Sequence, residues 1–235
     1  MTAAVPPLRL GVADPSAAAT AWAADQGLTH HADLASLLVA ERPDGVIVTS
    51  PNHCHVEGAL ACIRAGAAVL LEKPLATRLS DGERLCRAVQ AGGARLLVGH
   101  HRAHSPLLAA ARQVVQQCRL GALVAVNGLA PFHKPDGYFD EAPWRRQAGG
   151  GPVLINLIHE IGKLRSLCGE ITALQAMAST ACRGFAVEDT AAVLMRLANG
   201  ALGSFLLSDA TASARNWQQT AHENPAYASV DDEDC

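Results

Sequence analysis

Glu72, Lys73 and Pro74 follow directly on the apolar run "VLL" at 69–71. A lysine set between a buried strand and a proline is held in place and partly desolvated, which favours its neutral amine and suits it to proton transfer. Upstream, Thr49, Pro51, Asn52 and His55 stand in "TSPNHCH" where a helix pattern begins, and helix N-termini favour phosphate through their backbone N–H groups and dipole. Asp14 closes the apolar run "LRLGVAD". An acid just after a strand accepts the two hydroxyls of an adenosine ribose, and its charge repels a 2′-phosphate, so Asp14 favours NAD over NADP. Farther on, Asn156, His159 and Lys163 recur at spacings of three and four after "GGG", which places them on one side of a helix. Each residue also has a plainer reading: Asp14, Asn52 and His55 as helix caps, Lys73 as a solvated lysine, and His159 as a hydrogen-bonded structural residue.

The elements that must position these residues alternate in the first half of the chain. "LRLGVAD" (8–14), "DGVIVTS" (44–50), "AAVLLE" (67–72) and "ARLLVGH" (94–100) read as strands. Between them lie an Ala-rich helix capped by Ser16 and stopped before Gly27, a short helix capped by Asp33, a helix over 55–66 closed by Gly66, and a helix opened by a Ser80/Glu83 capping box. This order predicts a doubly wound parallel sheet, whose ligands bind at the carboxyl ends of the strands. Asp14, Thr49 to His55, and Glu72 with Lys73 all fall there.

In the second half, Ser105 and Pro106 open a helix through about Cys118, and a strand covers 122–130. A polar loop rich in Pro and Gly spans 131–151, one long helix spans 152–169, and a strand follows at 171–179. A hairpin then turns at Asn199-Gly200. The expected division is a partial dinucleotide-binding domain over 1–105 and a partial α+β substrate and oligomerisation domain with an antiparallel sheet over 106–235.

With 235 residues, 49% of them hydrophobic, the chain is long enough for a sizeable core. A formal net charge of −3 and scattered Lys and Arg exclude a basic field for nucleic acid, so a small-molecule partner is expected. Seven Cys without C-x-x-C spacing, and no signal segment, point to a reduced, cytoplasmic protein. No run approaches the roughly 18 to 20 apolar residues that cross a bilayer, so no membrane partner is expected. "NHCH" (52–55) and "HHRAH" (100–104) hold metal-ligand residue types, but neither has a second matching cluster, and no metal site is expected. Arg102 and His104 read instead as residues at a pocket rim.

The stretch "VIVTSPNHCHVEGALACIRAGAAVLLEKPLA" resembles the cofactor-domain core of the glucose-fructose oxidoreductase / inositol dehydrogenase (Gfo/Idh/MocA) family, whose hallmark is E-K-P after T-P-N-x-x-H spacing. The resemblance continues through "GHHRAHSPLL", "PWRRQAGGGPVLINLIHEI" and "VEDTAAVLMRLANGALGS". It implies a Rossmann-like fold, and hydride transfer between NAD(P) and a sugar, cyclitol or related alcohol. By it, Asp14, Thr49, Pro51, Asn52, His55, Glu72 and Lys73 contact the dinucleotide, Lys73 is also catalytic, and the Lys73-Pro74 bond is a candidate for cis. The family often carries an Asp four residues before the helical His. Here Ile155 holds that position and Asn156 lies three before His159, so the implied catalytic set is Lys73, His159 and Asn156. Arg102, Trp144, Arg145, Asn156 and His159 are implied substrate contacts. A homo-oligomer through the C-terminal sheet is implied as well.

The beginning departs from the family pattern. No G-x-G-x-x-G turn occurs, and "MTAAVPPLRLGVADP" corresponds to the family's second strand. The expectation is a sheet lacking its first, central strand and a second domain that stops short, so that cofactor binding and catalysis are impaired in this chain. The alternative is a non-catalytic ligand-binding or regulatory protein on the same scaffold.

Overall fold

The alternation read in the first half becomes strands β1 (Gly11–Ala13), β2 (Thr29–His31), β3 (Gly45–Val48), β4 (Ala68–Leu71) and β5 (Leu96–Val98). They are interleaved with helices α1 (Ala17–Asp25), α2 (Leu34–Glu41), α3 (His55–Arg64) and α4 (Leu79–Gly92). The computed structural model describes residues 8–117, 121–213 and 217–223. The chain divides into two compact units, Met1–Gly99 and His100–Cys235.

In the first unit the caps act as their residue types dictate. Ser16 Oγ accepts the N–H of Ala19 at 3.2 Å, and Asp33 Oδ1 accepts that of Ser36 at 2.7 Å. Gly27 and Gly66 turn the chain at φ 66° and 79°. The Ser80/Glu83 box does not form. α4 begins earlier, its first turn closing as Gly82 N–H donates to the Arg78 carbonyl at 3.1 Å, and Arg78 stands at the cap without a side-chain bond. Ser80 therefore lies inside the helix, and Glu83 reaches forward to Arg87 at 3.7 Å.

All pairing in this unit is parallel but divided. β1 pairs with β2 in one sheet, and β3, β4 and β5 form another. Among the described residues β1 and β3 are not paired with each other. The core packs α3 and α4 against one face of the three-stranded sheet through Val48, Val56, Ala59, Leu60, Val69, Leu71 and Leu85. Leu71 and Leu85 are 0% exposed, and each such side chain contributes about 1.5–3 kcal/mol. The other face is open, with Ile47 67% and Leu97 57% exposed, and carries a shallow apolar concavity of about 580 Å³. That concavity covers the beginnings of the strands, away from the polar residues at their ends.

The second unit contains α5 (Pro106–Gln116), β6 (Ala125–Pro131), α6 (Asp136–Asp140), α7 (Ile158–Cys168), β7 (Ile171–Ser179), β8 (Thr190–Leu197), β9 (Leu202–Ser208) and α8 (Trp217–Thr220). Ser105 caps α5, its Oγ accepting the N–H groups of Leu107 and Leu108 at 3.2 and 3.4 Å. Cys118, the expected end of that helix, lies outside the described residues. One four-stranded sheet runs in the order β6-β9-β8-β7. β7, β8 and β9 are an antiparallel meander, as expected, but β6 joins β9 in parallel. The chain leaves β6 through helices and re-enters at the far edge as β7, and an intervening helical connection makes the two strands parallel. The packed face of the sheet holds Met195, Leu197, Phe205 and Leu207 with Leu157 and Leu164. Its other face leaves Leu129, Leu194 and Leu206 61%, 61% and 43% exposed.

Candidate active site

The ends of β3 and β4 are joined by side chains. β3 stops at Val48, exposed Thr49 and Pro51 follow, and buried Asn52 opens a short 3₁₀ turn that leads into α3 at His55. His55 is 1% exposed, with Nδ1 2.7 Å from the Pro74 carbonyl oxygen and Nε2 2.8 Å from that of Ser50. After β4, Glu72 and Lys73 are half-buried and Pro74 is fully buried. The Lys73-Pro74 peptide bond is cis. Glu72 Oε2 accepts the N–H of Lys73 at 3.2 Å. A Cβ on Gly99 would stand 2.9 Å from Glu72 Oε1, so the carboxylate lies against the backbone that leaves β5.

Asp14 ends β1, in the two-stranded sheet. Its Oδ1 accepts the N–H of Ser16 at 2.8 Å, and hydrogen bonding from Ser16 holds the carboxyl below the usual aspartate range. Its carbonyl oxygen lies 2.9 Å from His30 Nε2, which fastens β2 to the end of β1. β2 and this histidine had no signal in the sequence beyond a three-residue "THH".

In the second unit the expected long helix is two elements. Val153–Leu157 is a wide π turn and the α-helix starts at Ile158. Asn156 therefore lies in the wide turn and His159 in the α-helix, and the one-face relation expected of Asn156, His159 and Lys163 holds within regular helix only for the last two. Irregular turns of this kind recur at functional sites. His159 is 8% exposed, and the ring of His101 meets it edge to face at 4.8 Å.

Next to His159 is a buried ionic cluster. Glu160 accepts a hydrogen bond from Arg102 Nη1 and stands 2.6 Å from Lys163 Nζ. Burial pushes the Lys163 ammonium down, against the pull of Glu160. Arg102, expected at a pocket rim, is 8% exposed and turned into this cluster, whereas His104 is exposed.

The polar loop 131–151 is more ordered than its composition suggests, with α6 and a 3₁₀ turn, Pro143–Arg146, inside it. The guanidinium of Arg145 lies 3.7 Å from the ring centroid of Tyr138, and Arg146 pairs with Asp140. Trp144, directly before the two arginines, is half-buried. The "GGG" stretch acts through close approach. A Cβ on Gly150 would fall 2.5 Å from the Arg145 carbonyl oxygen, and one on Gly151, at φ 78°, 2.7 Å from Glu188 Oε1. Glu188 Oε1 in turn accepts the N–H of Val153 at 2.9 Å, at the entry to the wide turn.

Two more buried acids anchor this region. Asp189 Oδ2 accepts the N–H groups of Cys182 and Arg183, both at 2.9 Å, and Arg183 Nε bonds Asp209 Oδ1 at 2.9 Å while its Nη2 reaches the Lys134 carbonyl oxygen at 2.6 Å. Sequence reasoning passed over Glu160, Arg183, Glu188, Asp189 and Asp209. The acid pair directly before strand β8 in "VEDT" was the signal available for two of them.

The model described as the oxidoreductase family with an NAD-binding Rossmann fold matches residues 10–100, and the GFO/IDH/MocA C-terminal domain matches residues 108–222. The chain belongs to the Gfo/Idh/MocA family. Among the relatives of this Gfo/Idh/MocA chain, inositol 2-dehydrogenase 2 of Saccharopolyspora erythraea is 33% identical over 81% of this chain and 55% of its own length. The 1,5-anhydro-D-fructose reductase of Ensifer adhaerens is 30% identical over 79% of this chain and 56% of its own. The chain thus spans about half the length of these curated relatives. A solved structure of the WlbA dehydrogenase from Bordetella pertussis, in complex with NADH and UDP-GlcNAcA, is 28% identical, with a TM-score of 0.80 over 85% of this chain and 63% of that one. Among the described residues of the Gfo/Idh/MocA chain, no helix is long and apolar enough to cross a membrane.

Proposed function

We propose that the protein is an NAD(P)-dependent oxidoreductase that moves a hydride between the nicotinamide and a CH–OH carbon of a sugar, cyclitol or related alcohol, with NAD preferred. The observation that carries this reading is Lys73, fixed at the end of β4 between a carboxylate lodged against Gly99 and a buried proline. Names and structures of the relatives support the substrate class: two are a reductase of an anhydro sugar and a dehydrogenase of inositol, and the WlbA structure holds NADH and a nucleotide sugar acid.

The residues at the strand ends suit a dinucleotide. Asp14 keeps Oδ1 on Ser16 and offers Oδ2 to a ribose hydroxyl, and its charge opposes a 2′-phosphate. Thr49, Pro51, Asn52 and Glu72 stand on the adjoining loops, at the carboxyl ends of β3 and β4. The bound nicotinamide supplies the hydride acceptor. Lys73 takes the alcohol proton through Nζ as the hydride leaves, and returns it in the reverse direction. Asn156 and His159 bind and orient the substrate hydroxyls, with Arg102, Trp144 and Arg145 nearby in the same role. Homo-oligomers form through the open face of the C-terminal sheet, where Leu129, Leu194 and Leu206 are exposed. The compartment in this reading is the cytoplasm.

The 235 residues contain no G-x-G-x-x-G. A second reading is a scaffold of the same kind that binds ligand without turnover. Calorimetric titration with NAD and NADP, beside an assay of NAD reduction by polyols, separates the two. The oxidoreductase reading expects NAD to bind more tightly than NADP and Asp14→Ala to remove the difference. Equal affinity in the unaltered protein sinks the role given to Asp14, and nucleotide binding without reduction of NAD by any polyol favours the second reading.

A further inference from the structure

We infer that His55 is a positioning residue for Lys73, a clasp that holds together the loops ending β3 and β4. An imidazole points its two nitrogens in divergent directions, so one buried ring reaches two separate loops. Here Nδ1 meets the carbonyl oxygen of Pro74, the residue after Lys73, and Nε2 meets that of Ser50, five residues before the ring, at 2.7 and 2.8 Å. A neutral ring donates to one of these carbonyls at a time, and a ring with both protons donates to both. The contact to Pro74 is buried, where an unmade hydrogen bond is costly, and the contact to Ser50 is part-buried.

The ring belongs to the first residue of α3, and that helix is fixed by Val56, Ala59 and Leu60 in the packed core. Lys73 is thereby held from both neighbours. Gly99 gives Glu72 its place on one side, and His55 grips the carbonyl of Pro74 on the other. With both nitrogens turned to the protein and only 1% of its surface exposed, His55 works through Lys73 and not by touching a dinucleotide. The consequence for catalysis rests on the proposed role of Lys73, while the clasp itself does not.

The test needs no turnover. In the unaltered protein, diethyl pyrocarbonate acylates exposed His53, two residues away, and leaves His55 unmodified. The Lys73 amine is then labelled by reductive methylation and read by mass spectrometry, with Lys134 and Lys163 as references. His55→Leu is expected to change Lys73 labelling by about fivefold, the loss of one buried hydrogen bond expressed as an equilibrium constant, with the references unmoved. His55→Gln, whose amide reaches one carbonyl, is expected to fall between. Acylation of His55 at the rate of His53 overturns the inference, and so does unchanged Lys73 labelling in a folded His55→Leu protein. If His55→Leu fails to fold, His55→Gln and the acylation of the unaltered protein decide. Absence of hydride transfer with the clasp readouts intact defeats the proposed function and leaves the clasp standing.

Discussion

The candidate site residues of the first unit and the ionic clusters of the second use charge in opposite ways. In the first, the ionisable residues singled out for chemistry stand at the ends of strands, half-buried, over a core made of aliphatic side chains. In the second, acids and bases are folded inward: Arg102, Glu160 and Lys163 in one group, and Arg183, Asp189 and Asp209 in another. A charge at a strand end is available to a ligand, whereas a charge paired inside holds loops in place. The difference teaches that a buried ion pair in the second unit is first a statement about stability, and that a charge at a strand end in the first is first a statement about chemistry.

The largest expected effect breaks function and spares stability. Lys73→Met in an active form is expected to lower turnover about 10²- to 10⁴-fold, the usual range for a general acid-base group, without shifting the denaturation midpoint. A steady-state assay beside a urea titration reads both, and wild-type turnover would remove Lys73 from the mechanism.

The next inverts that pattern. Glu160→Gln leaves Arg102 and Lys163, 10% and 11% exposed, facing each other without their shared counter-charge. Breaking a buried pair in this way costs about 3–5 kcal/mol, read in urea. The Lys163 ammonium is already pushed down by burial. A depressed lysine adds stability above its ordinary range and loses it as pH falls through the folded value. The variant should therefore regain stability as pH rises toward that range.

A finer contrast lies between two buried acids. Burial alone raises Asp189, but N–H donors from Arg183 and Cys182 and the Thr190 hydroxyl outweigh it and hold the carboxyl low, whereas burial keeps Asp209 high despite Arg183. Asp189 thus contributes stability above the ordinary aspartate range and loses it as pH falls through its lowered value. Asp209 has the opposite sign, its contribution present at low pH and lost as pH rises through its raised value. Asp189→Asn should cost about 1–3 kcal/mol at neutral pH and less in acid, and Asp209→Asn should cost less than Asp189→Asn at neutral pH. Thermal unfolding between pH 3 and 7 orders them. The smallest effect is expected from Ser105→Ala, which removes the α5 cap and costs about 1 kcal/mol, measured by the same unfolding.

What the sequence made legible was local. Caps at Ser16, Asp33 and Ser105, the Asn199-Gly200 turn and the order of strands all follow from neighbours in the chain, and all are present. What it hid was set by contacts distant in sequence. β2 is three residues whose pairing with β1 decides it, and the Ser80/Glu83 box yields to a helix that begins at Leu79. The parallel pairing of β6 depends on where β7 enters the sheet. In the candidate site, the chemistry of Lys73 could be read beside Pro74, while the partner of His55 lies nineteen residues away. The inward turn of Arg102 depends on Glu160, fifty-eight residues on. The close approaches at Gly150 and Gly151 were not read from the sequence, since the carboxylate that imposes one of them, Glu188, lies thirty-five residues beyond Val153, whose N–H it accepts.

That carboxylate, with the backbone it lies against, leaves one position little freedom in an evolving sequence. Gly151 has room for no side chain while Glu188 reaches the N–H of Val153. The backbone at 151 is left-handed as well, φ 78°, so shortening residue 188 would not by itself admit a side chain there. Change at 151 should therefore be rarer across the family than change at 188, which gives up only the bond to Val153.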